Sequence, residues 1–487
     1  MGIILILLLG FVLRLVYINQ SFWLDESVQA LTSLSPFLNL FSELKGDFHP
    51  PLYHFLMWGW AHLFGNSEFV MRLPSVLFGT ATIYVVYLIA KQLVNKKSKL
   101  INFLPLVAAL FLATAPFHIY YSQEARTYAL TAFSTSLSIY WFLRLMNSRS
   151  SEGKITWAYI LSTVFMLYSD YYGLFVFFFQ IIAGVLILRK RTMELIRNFI
   201  ITFVFFLPAL FLLAIQLKTG IGANAILPGW GELVNLSFFK ALPLTFVKFS
   251  IGRITIFNKK IYALVAIILF GLYSLLMVNG FLKKKKKIMG KNNSILLILF
   301  WFLIPVFLAW IVSFLIPNYQ PFRLLLVLPA FYLLLAIGIS SIMKTFLRNI
   351  ALVLVLLVNL ISLGVYYKNP YFHREDWRGL VNYIEETAQE KEYVLLPSHT
   401  SHWPYKYYSQ DKVGLISVAE GIRTVNEKDF EKISLEDIDG FYYIYYLADL
   451  FDPQDLVINW LDEGNFVKIE EVSFNQLKLE IWQKEDI

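Results

Sequence analysis

Two adjacent carboxylates, Asp25 and Glu26, lie in the stretch SFWLDESVQ, just after the first apolar run of the chain. The aromatic residues before them, Phe22 and Trp23, are typical of a membrane–water boundary, where an ionised side chain loses part of its hydration. Adjacent side chains also point in different directions, so we expect the two acids to have different partners. This costly placement favours a functional role, as a base or a ligand; two solvated loop acids are the alternative.

Further residues that could bind or react occur in short polar stretches between apolar runs. They are His49 in GDFHPP, Glu124 and Arg126 in SQEAR, Asp170 in SDYYG, and Arg323 in PNYQPFR. Carboxylates serve as bases or bind hard cations, and guanidinium groups bind phosphate through two hydrogen bonds. Such residues can form one site only if the chain brings these stretches to the same side of a membrane.

The composition is that of a membrane protein. Of 487 residues, 57% are hydrophobic and only 16% are charged, whereas soluble domains carry about a quarter charged residues. Apolar runs of about 20 residues recur, the length of a helix that spans a bilayer. The basic residues form short loop clusters, which argues against nucleic-acid binding. The chain has no cysteine, which excludes disulfides, thiolate catalysis and cysteine-ligated metal.

The apolar runs predict eleven membrane-spanning helices. They cover about residues 1–17, 69–94, 101–118, 127–146, 155–169, 172–188, 198–217, 261–282, 294–316, 323–343 and 350–367. Residues 51–65 are apolar but too short to cross an untilted bilayer, so we predict a helix that lies in the interface. The loops rich in Lys and Arg then share one side, which the positive-inside rule assigns to the cytoplasm. All the candidate site residues face the other side.

Three further stretches have specific predictions. Residues 218–260 are expected to form a long external loop, mobile in its first part because of its Gly and Pro residues and interfacial in its second. The lysine run 283–287 is expected to fix the topology and contact anionic lipid. Arg14 lies inside the first span, where a charge needs a partner, and we expect it to pair with a nearby acid.

From about residue 368 the composition changes to that of a soluble domain. DWRGLVNYIEETAQE and VINWLDEGN have helical patterns, EYVLLPS and DGFYYIYYLA read as strands, and VKIEEVSFNQLKLEIWQK reads as two strands. We therefore predict a transmembrane domain over residues 1–367 and an extracytoplasmic α/β domain over residues 368–487. About 120 residues is an ordinary size for an independent core.

The Asp-Glu pair, the HPPL stretch and YYSQEARTYAL together resemble the membrane-embedded glycosyltransferases of the protein O-mannosyltransferase class, which include the lipid A aminoarabinose transferases. RLPSVLFG (72–79) and FRLLLVLPA (322–330) also look like stretches of this family. The resemblance covers about the first 365 residues. It implies a GT-C fold with a juxtamembrane helix at 51–65, and inverting transfer of a sugar from a polyprenyl-phosphate carrier at the outer membrane face.

The resemblance implies roles for the acids. Single displacement at a sugar carbon needs a base for the acceptor's proton, and we predict that Asp25 is this base. Glu26 is predicted to orient the acceptor or hold a cation. Glu124 and Asp170 are predicted at the acceptor or cation site, although Asp170 also fits a solvated turn acid. Mg²⁺ or Mn²⁺ suits carboxylates and phosphate, with Glu26 and Glu124 as ligands, but the resemblance does not require a metal.

The departing phosphate needs positive charge, for which His49, Arg126 and Arg323 are the candidates. Each has a simpler alternative: Arg126 pairs with Glu124 beside it, Arg323 reaches the membrane surface, and His49 is only a loop residue. The aminoarabinose transferases tend to have Lys where His49 stands, so this imidazole resembles the O-mannosyltransferases. The sugar and the acceptor, whether a protein, a lipid or a glycan, are left open.

Two other functions compete with this interpretation. A transporter or flippase of lipid-linked sugars would usually carry charges near the bilayer midplane on broken helices. Here the acids cluster at the predicted outer ends of spans, which favours an enzyme. An oligosaccharide ligase would differ only in the size of its donor. In each case the expected location is the cell membrane, with lipid and a polyprenyl-phosphate sugar as partners.

Overall fold

The computed structural model describes residues 1–95, 98, 100–148, 153–187, 192–227, 229–282 and 293–485. Its larger part is a helical bundle. The helices are α1 (Gly2–Leu15), α2 (Leu24–Thr32), α3 (Leu40–Gly46), α4 (Leu52–Phe64), α5 (Glu68–Leu93), α6 (Phe103–Ala113), α7 (Pro116–Ser122), α8 (Tyr128–Asn147), α9 (Gly153–Ser169), α10 (Gly173–Ile187), α11 (Thr192–Ile226), α12 (Trp230–Val234), α13 (Phe238–Ile251), α14 (Lys259–Leu282), α15 (Asn293–Val312), α16 (Leu328–Ser340) and α17 (Thr345–Lys368). A 3₁₀ segment, Pro321–Val327, leads into α16.

The bundle is that of a multi-pass membrane protein. Among the described residues, six helical segments are long and apolar enough to cross a membrane: α5, α11, α14, α15, the segment 321–340 that contains α16, and α17. The bent pair of α6 and α7 makes a seventh, and α1 and α10 are apolar but shorter. All eleven predicted spans coincide with helices, but the number that crosses the membrane stays a prediction.

The bend between α6 and α7 brings a turn of the chain toward the first helix. Pro116 begins α7, and the axes of α6 and α7 differ by 58°. Arg14 is fully buried here, and it donates to the carbonyls of Leu112 and Ala113 at the end of α6 and contacts His118 Nδ1 at 2.7 Å. The expected pairing of Arg14 with an acid is therefore wrong. Backbone carbonyls at the end of α6, which are left free by the bend before α7, accept hydrogen bonds from the guanidinium instead.

Helix α4 is short, and both of its ends lie near one turn of the chain; that it lies in the membrane interface stays a prediction. His49, before α4, lies 3.5 Å from Arg126, and Arg72, after α4, is bonded to Glu26. The backbone N–H of Ala125 also donates to Glu26, so both ends of α4 return to the same turn of the chain. The helix lies across one end of the bundle.

The predicted mobile loop after residue 217 is wrong in its first part. Helix α11 continues to Ile226, and α12 and α13 occupy much of the rest. At Gly220, an added Cβ would lie 2.7 Å from the ring of Phe48, so this glycine permits a close contact rather than a flexible turn. Gln216 fixes the helix further by donating to the carbonyls of Leu44 and His49. The lysine run 283–287 lies outside the described residues.

A sheet domain follows α17. It contains α18 (Trp377–Thr387), α19 (Trp403–Tyr408), α20 (Ala448–Phe451) and α21 (Leu456–Glu463), with strands β1 (Glu392–Ser398), β2 (Gly414–Ala419), β3 (Gly440–Ile444), β4 (Phe466–Phe474) and β5 (Leu477–Lys484). The sheet order is β2-β1-β3-β5-β4. The pairs β1–β2 and β1–β3 are parallel, whereas β3–β5 and β4–β5 are antiparallel.

Both faces of this sheet are covered, as the apolar strands indicate. Val394 and Leu396 of β1 pack with α18 on one face, and Leu395 between them packs with α21 on the other. This alternation follows from the two-residue period of a strand. The α/β character that the sequence predicted is confirmed, and β2 is an additional strand. The domain boundary at residues 367 and 368 stays a prediction, although α17 ends at Lys368.

Candidate active site

Glu26 and Arg72 form a buried ion pair at the end of the bundle where α4 lies. Arg72 Nε donates to Oε1 of Glu26 at 2.8 Å, and Nη2 donates to Oε2 at 2.6 Å. The N–H of Ala125 donates to Oε1 at 2.7 Å, and the Glu26 side chain is not exposed. Burial alone would raise the pKa of Glu26, but Arg72 lowers it below its usual value. The carboxylate is therefore ionised and joins three segments of the chain.

Asp25 faces elsewhere and is accessible. Its side chain is 36% exposed, and Oδ2 lies 3.3 Å from Arg126 Nη2. Arg126 also approaches Nδ1 of His49 at 3.5 Å. Burial lowers the pKa of Arg126, but the carboxylates of Asp25 and Asp47 more than compensate, and its pKa is raised. The two adjacent acids thus have different partners, as predicted, and only Asp25 can reach a bound molecule.

Asp47 joins two histidines. Its Oδ1 lies 2.9 Å from Nδ1 of His49, and its Oδ2 lies 2.7 Å from Nε2 of His54. The N–H of Phe48 also donates to Oδ1. Burial would raise the pKa of Asp47, but the two imidazoles and Arg126 hold it well below its usual range. The ionised carboxylate accepts from both rings and fixes the orientation of His49.

Glu124 meets an arginine from the far part of the chain. Oε2 of Glu124 lies 2.9 Å from Nη2 of Arg374, and both side chains are almost fully buried. The contact is close but is not aligned as a hydrogen bond. The guanidinium of Arg374 also lies over the ring of Tyr120, 4.1 Å from its centroid. Burial raises the pKa of Glu124, and Arg374 offsets only part of this effect.

Asp170 and Arg323 belong to the same group of charges. Asp170 is buried and accepts a hydrogen bond from the N–H of Tyr172. Burial raises the pKa of Asp170, and the charges of His49, Arg323 and Arg126 oppose this. Asp170 is therefore not the solvated turn acid that was its simpler alternative. The structure brings together the charged residues that the sequence singled out. Two of them, Glu26 and Glu124, are paired with arginines and are not available to a ligand.

Several buried nitrogen and oxygen atoms of this region lack a hydrogen-bond partner among the described residues. Three of them are nitrogens of the predicted phosphate-binding residues: Nε2 of His49, Nε of Arg126 and Nε of Arg323. Buried polar groups are nearly always hydrogen-bonded, so unpaired nitrogens on three residues of this group of charges indicate a place for a ligand. Arg126 and His49 also line one small pocket.

The acids do not fit a divalent cation in the predicted way. Glu26 is held by Arg72 and by a backbone N–H, and Glu124 is held against Arg374. Within the described ranges, no group of three His, Asp or Glu residues is arranged to hold a metal ion. The carboxylates that were candidate metal ligands therefore face guanidinium groups, which supply positive charge in place of a metal ion.

The sequence did not identify several residues of this site. Arg72, Asp47, Gln29, His54 and Arg374 were not singled out. Asp47 is two residues before His49, and Gln29 is four residues after Asp25, one helical turn along α2. Those spacings were available signals. The contact of Arg374 with Glu124 gives no signal in the sequence, because the two residues lie far apart in the chain, one in each predicted domain.

Comparison with known families gives one match over part of the chain. Residues 48–217 match the family of dolichyl-phosphate-mannose-protein mannosyltransferases. This segment begins just before His49 and includes Arg72, Glu124, Arg126 and Asp170. Among curated proteins, no sequence matches the chain significantly.

Solved structures share the fold over nearly the whole chain. ArnT from Cupriavidus metallidurans in the apo state has a TM-score of 0.59 at 11% identity, and the alignment covers 99% of this chain and 97% of ArnT. ArnT bound to undecaprenyl phosphate gives 0.54 at 12% identity with the same coverage. AglB, the oligosaccharyltransferase from Archaeoglobus fulgidus in complex with an inhibitory peptide and a dolichol-phosphate, gives 0.53 at 14% identity over 96% of this chain and 72% of AglB.

At these identities the structural likeness shows a common fold. The family match adds the region that carries most of the charged residues described above. Together they support the resemblance that the sequence predicted: residues 48–217 match the dolichyl-phosphate-mannose-protein mannosyltransferase family, and the whole chain shares its fold with ArnT.

Proposed function

We propose that this chain transfers a sugar from a polyprenyl-phosphate donor to an acceptor at the extracytoplasmic face of the cell membrane, with inversion. The observation that carries the proposal is that Arg126 and His49, each with an unpaired buried nitrogen, meet beside the accessible carboxylate of Asp25. Arg323, which also has an unpaired buried nitrogen, acts with both of them on the charge of Asp170. Such an arrangement provides both a phosphate-binding site and a base. Inverting displacement of a phosphate from a sugar carbon needs both.

Asp25 acts as the base in this proposal. Its carboxylate is partly exposed, so an acceptor hydroxyl can approach it, and Arg126 orients it from the other side. As the acceptor oxygen attacks the sugar carbon, its proton passes to Asp25. The bond between that carbon and the phosphate oxygen breaks, and the leaving phosphate keeps the electron pair. Arg126, Arg323 and His49 stabilise the charge that develops on it.

The other acids position this site. Glu26 holds α2 to α5 through Arg72, and it holds the 124–126 turn through the N–H of Ala125. This fixes Asp25 and Arg126 relative to each other. Glu124 and Asp170 are buried, and we propose that Asp170 orients the basic residues rather than contacting a solvated cation. The acceptor, a protein, lipid or glycan hydroxyl, approaches from the side of Asp25.

Release of free polyprenyl phosphate is the direct test. Purified protein in detergent or liposomes should release it from a polyprenyl-phosphate sugar when an acceptor is supplied, and Asp25→Asn should abolish this release. Glu43→Gln is the matched control, because Glu43 is an exposed acid of the same external region. Movement of the intact donor across the liposome membrane without release of polyprenyl phosphate would instead favour a transporter.

Phosphate binding has its own test. Arg126→Gln and Arg323→Gln should each raise the KM for the donor by about 10- to 100-fold, the worth of a hydrogen bond to a charged group. Arg348→Gln, near the start of α17, is the control and should leave the KM unchanged.

The orientation of the chain in the membrane is tested by reporter fusions after residues 290 and 368: the first should be cytoplasmic and the second external.

A further inference from the structure

The sheet domain holds the segment of the chain that carries Asp25. The backbone N–H of Phe22 donates to the hydroxyl of Tyr408 at 2.7 Å, and Leu24 packs against the apolar core of the sheet domain. Asp25 follows Leu24 directly, in the first turn of α2. The position of the proposed base is therefore set by the sheet domain as well as by the bundle.

Helix α2 begins at a residue that cannot cap it. The N-cap residue is Trp23, and its indole is a donor that cannot accept from the N–H groups of the first turn. The hydroxyl of Tyr446, just after the end of β3, lies against the backbone N–H of Leu24 instead. Tyr446 is buried. A side chain of the sheet domain thus takes the place of a cap at the turn that carries Asp25.

Tyr446 is fixed in turn by Glu375. Its hydroxyl donates to Oε1 of Glu375 at 3.3 Å, and Nε1 of Trp377 donates to Oε2 at 2.8 Å. The rings of Trp377 and Tyr446 meet edge to face, with 4.8 Å between their centroids. Both oxygens of Glu375 therefore have a donor, and the carboxyl is held one side chain away from the backbone of Leu24.

The carboxyl of Glu375 titrates in the neutral range and responds to Asp25. Burial raises the pKa of Glu375 to about 7. The hydrogen bonds from Trp377 and Tyr446 oppose this rise, and so does the charge of Arg374 beside it in the chain. The charge of Asp25 adds to the rise. Glu375 thus faces groups from its own segment, from the end of β3 and from α2.

Asp25 lies between opposite charges. From the bundle it faces Arg126 at 3.3 Å, and its charge also acts on Tyr128 at the start of α8. From the sheet domain it faces Glu375. The interaction between two charges acts on both of them, so ionised Glu375 favours the movement of a proton onto Asp25. The step in which Asp25 takes the acceptor's proton should then be faster.

We propose that Tyr446 and Glu375 are positioning residues for the transfer reaction: they hold the first turn of α2 against the sheet domain and place a negative charge near the base Asp25. Tyr446 acts through the backbone of Leu24, and Glu375 acts through Tyr446 and through its own charge. The proposal rests on the proposed transferase function, because it concerns the base of that reaction.

The pH dependence of turnover tests the role of Glu375. Release of polyprenyl phosphate from a polyprenyl-phosphate sugar is measured from about pH 5 to about pH 9, giving kcat and the donor KM. The wild-type kcat should rise about two- to tenfold through about pH 7 as Glu375 ionises. Glu375→Gln cannot ionise, so it should remove this step and leave the donor KM unchanged. Melting temperatures at the same pH values separate a loss of fold from a loss of positioning.

Glu385→Gln is the control for the loss of a buried acid of the sheet domain. The Glu385 side chain is 4% exposed, and its carboxylate accepts from Ser409 and from the N–H of Gln410. It belongs to α18 and makes these contacts within the sheet domain. Glu385→Gln should therefore keep the step in kcat near pH 7.

Tyr446→Phe tests the contact with α2. Without the hydroxyl, the first turn of α2 loses its acceptor, and kcat should fall about tenfold. The donor KM should change by less than about twofold, because the phosphate site belongs to the bundle. Tyr442→Phe is the matched control: Tyr442 lies on β3, its hydroxyl donates to Thr387, and the variant should behave as the wild type.

The two levels of the proposal fail differently. A wild-type kcat without a step near pH 7, or a step that persists in Glu375→Gln, overturns the role of Glu375. A donor KM that rises as much as kcat falls in Tyr446→Phe, or an equal loss in Tyr442→Phe, overturns the role of Tyr446. In these cases transferase function stands as long as Asp25→Asn abolishes release. If no polyprenyl-phosphate sugar is turned over at any pH, the proposed function is wrong and the positioning proposal falls with it.

Discussion

The ion pair between Glu124 and Arg374 should contribute strongly to stability, and replacing Arg374 tests this. The N···O distance is 2.9 Å, and the side chains are 2% and 4% exposed. Arg374→Gln would leave the Glu124 carboxyl buried without its counter-charge and remove the guanidinium from the ring of Tyr120. Arg378→Gln is a matched control in the same segment, because Arg378 pairs with Glu68 but is 45% exposed.

The magnitudes of the two changes should differ clearly. Removing one partner of a buried ion pair typically lowers the free energy of unfolding by about 3–5 kcal/mol. Because this pair is not aligned as a hydrogen bond, we expect a loss of about 3 kcal/mol for Arg374→Gln. An exposed pair is worth about 0–1 kcal/mol. Burial already raises the pKa of Glu124, and losing Arg374 raises it further. A raised carboxyl pKa lowers stability as pH rises from the unfolded value, 4.5 for a glutamate, through the folded value. The loss should therefore be greater at pH 8 than at about pH 4.5.

Thermal unfolding in detergent, followed at both pH values, measures these differences. Arg374→Gln should lower the melting temperature by several degrees more than Arg378→Gln does, with the larger gap at pH 8. A double variant, Glu124→Gln with Arg374→Met, should recover much of the loss because no buried charge remains unpaired. Equal effects of the two arginine variants, or a loss that shrinks as pH rises, would refute the reasoning.

Three further predictions concern single residues. Asp25→Asn should lower turnover by at least about 100-fold, the usual contribution of a general base. It should not change the melting temperature, because the Asp25 side chain is 36% exposed; a large thermal change would contradict this. Glu26→Gln should lower both turnover and the melting temperature, because Arg72 loses its buried counter-charge; a stable variant with normal turnover would show that the pair is dispensable. Burial raises the pKa of Glu375 to about 7, so stability should fall as pH rises from about 4.5 to about 7. Glu375→Gln should flatten that part of the pH profile, and an unchanged profile would assign it to another group.

Much of the fold could be predicted from local pattern. Apolar runs indicate the helices of the bundle, and alternating apolar residues indicate β1 and β3, because both patterns follow from which side of an element is buried. The short apolar stretch 51–65 was separated from the spans by length alone. Patterns of this kind survive in the sequence because burial acts on each residue of an element.

The errors arose where a tertiary contact outweighed a local signal. Gly220 indicates a mobile loop by residue type, but the ring of Phe48 occupies the space beside it and α11 continues. Arg14 indicates an acid partner by charge, but the broken end of α6 offers carbonyls instead. In both cases the partner lies far away in the sequence, and no local pattern reports it.

Some charged residues of the candidate site could be picked out from the sequence, but several of its members and the pairing between them could not. The acids and arginines stand out because charge is rare in an apolar chain. Which acid remains accessible depends on where Arg72 and Arg374 lie, and this separates Asp25 from its neighbour Glu26. Gln29 was missed because an uncharged polar residue in a short helix is ordinary until its carbonyl oxygen is seen to be buried without a partner.

The contact of Arg374 with the turn at Glu124 has a consequence for biosynthesis. The segment that carries Asp25 leaves the ribosome early, but Arg374, which pairs with Glu124, follows only after the last helix of the bundle. Until then the carboxyl of Glu124 lacks the guanidinium that pairs with it. The candidate site is therefore completed at the end of translation, and chains that stop short of the sheet domain should be inserted in the membrane yet inactive.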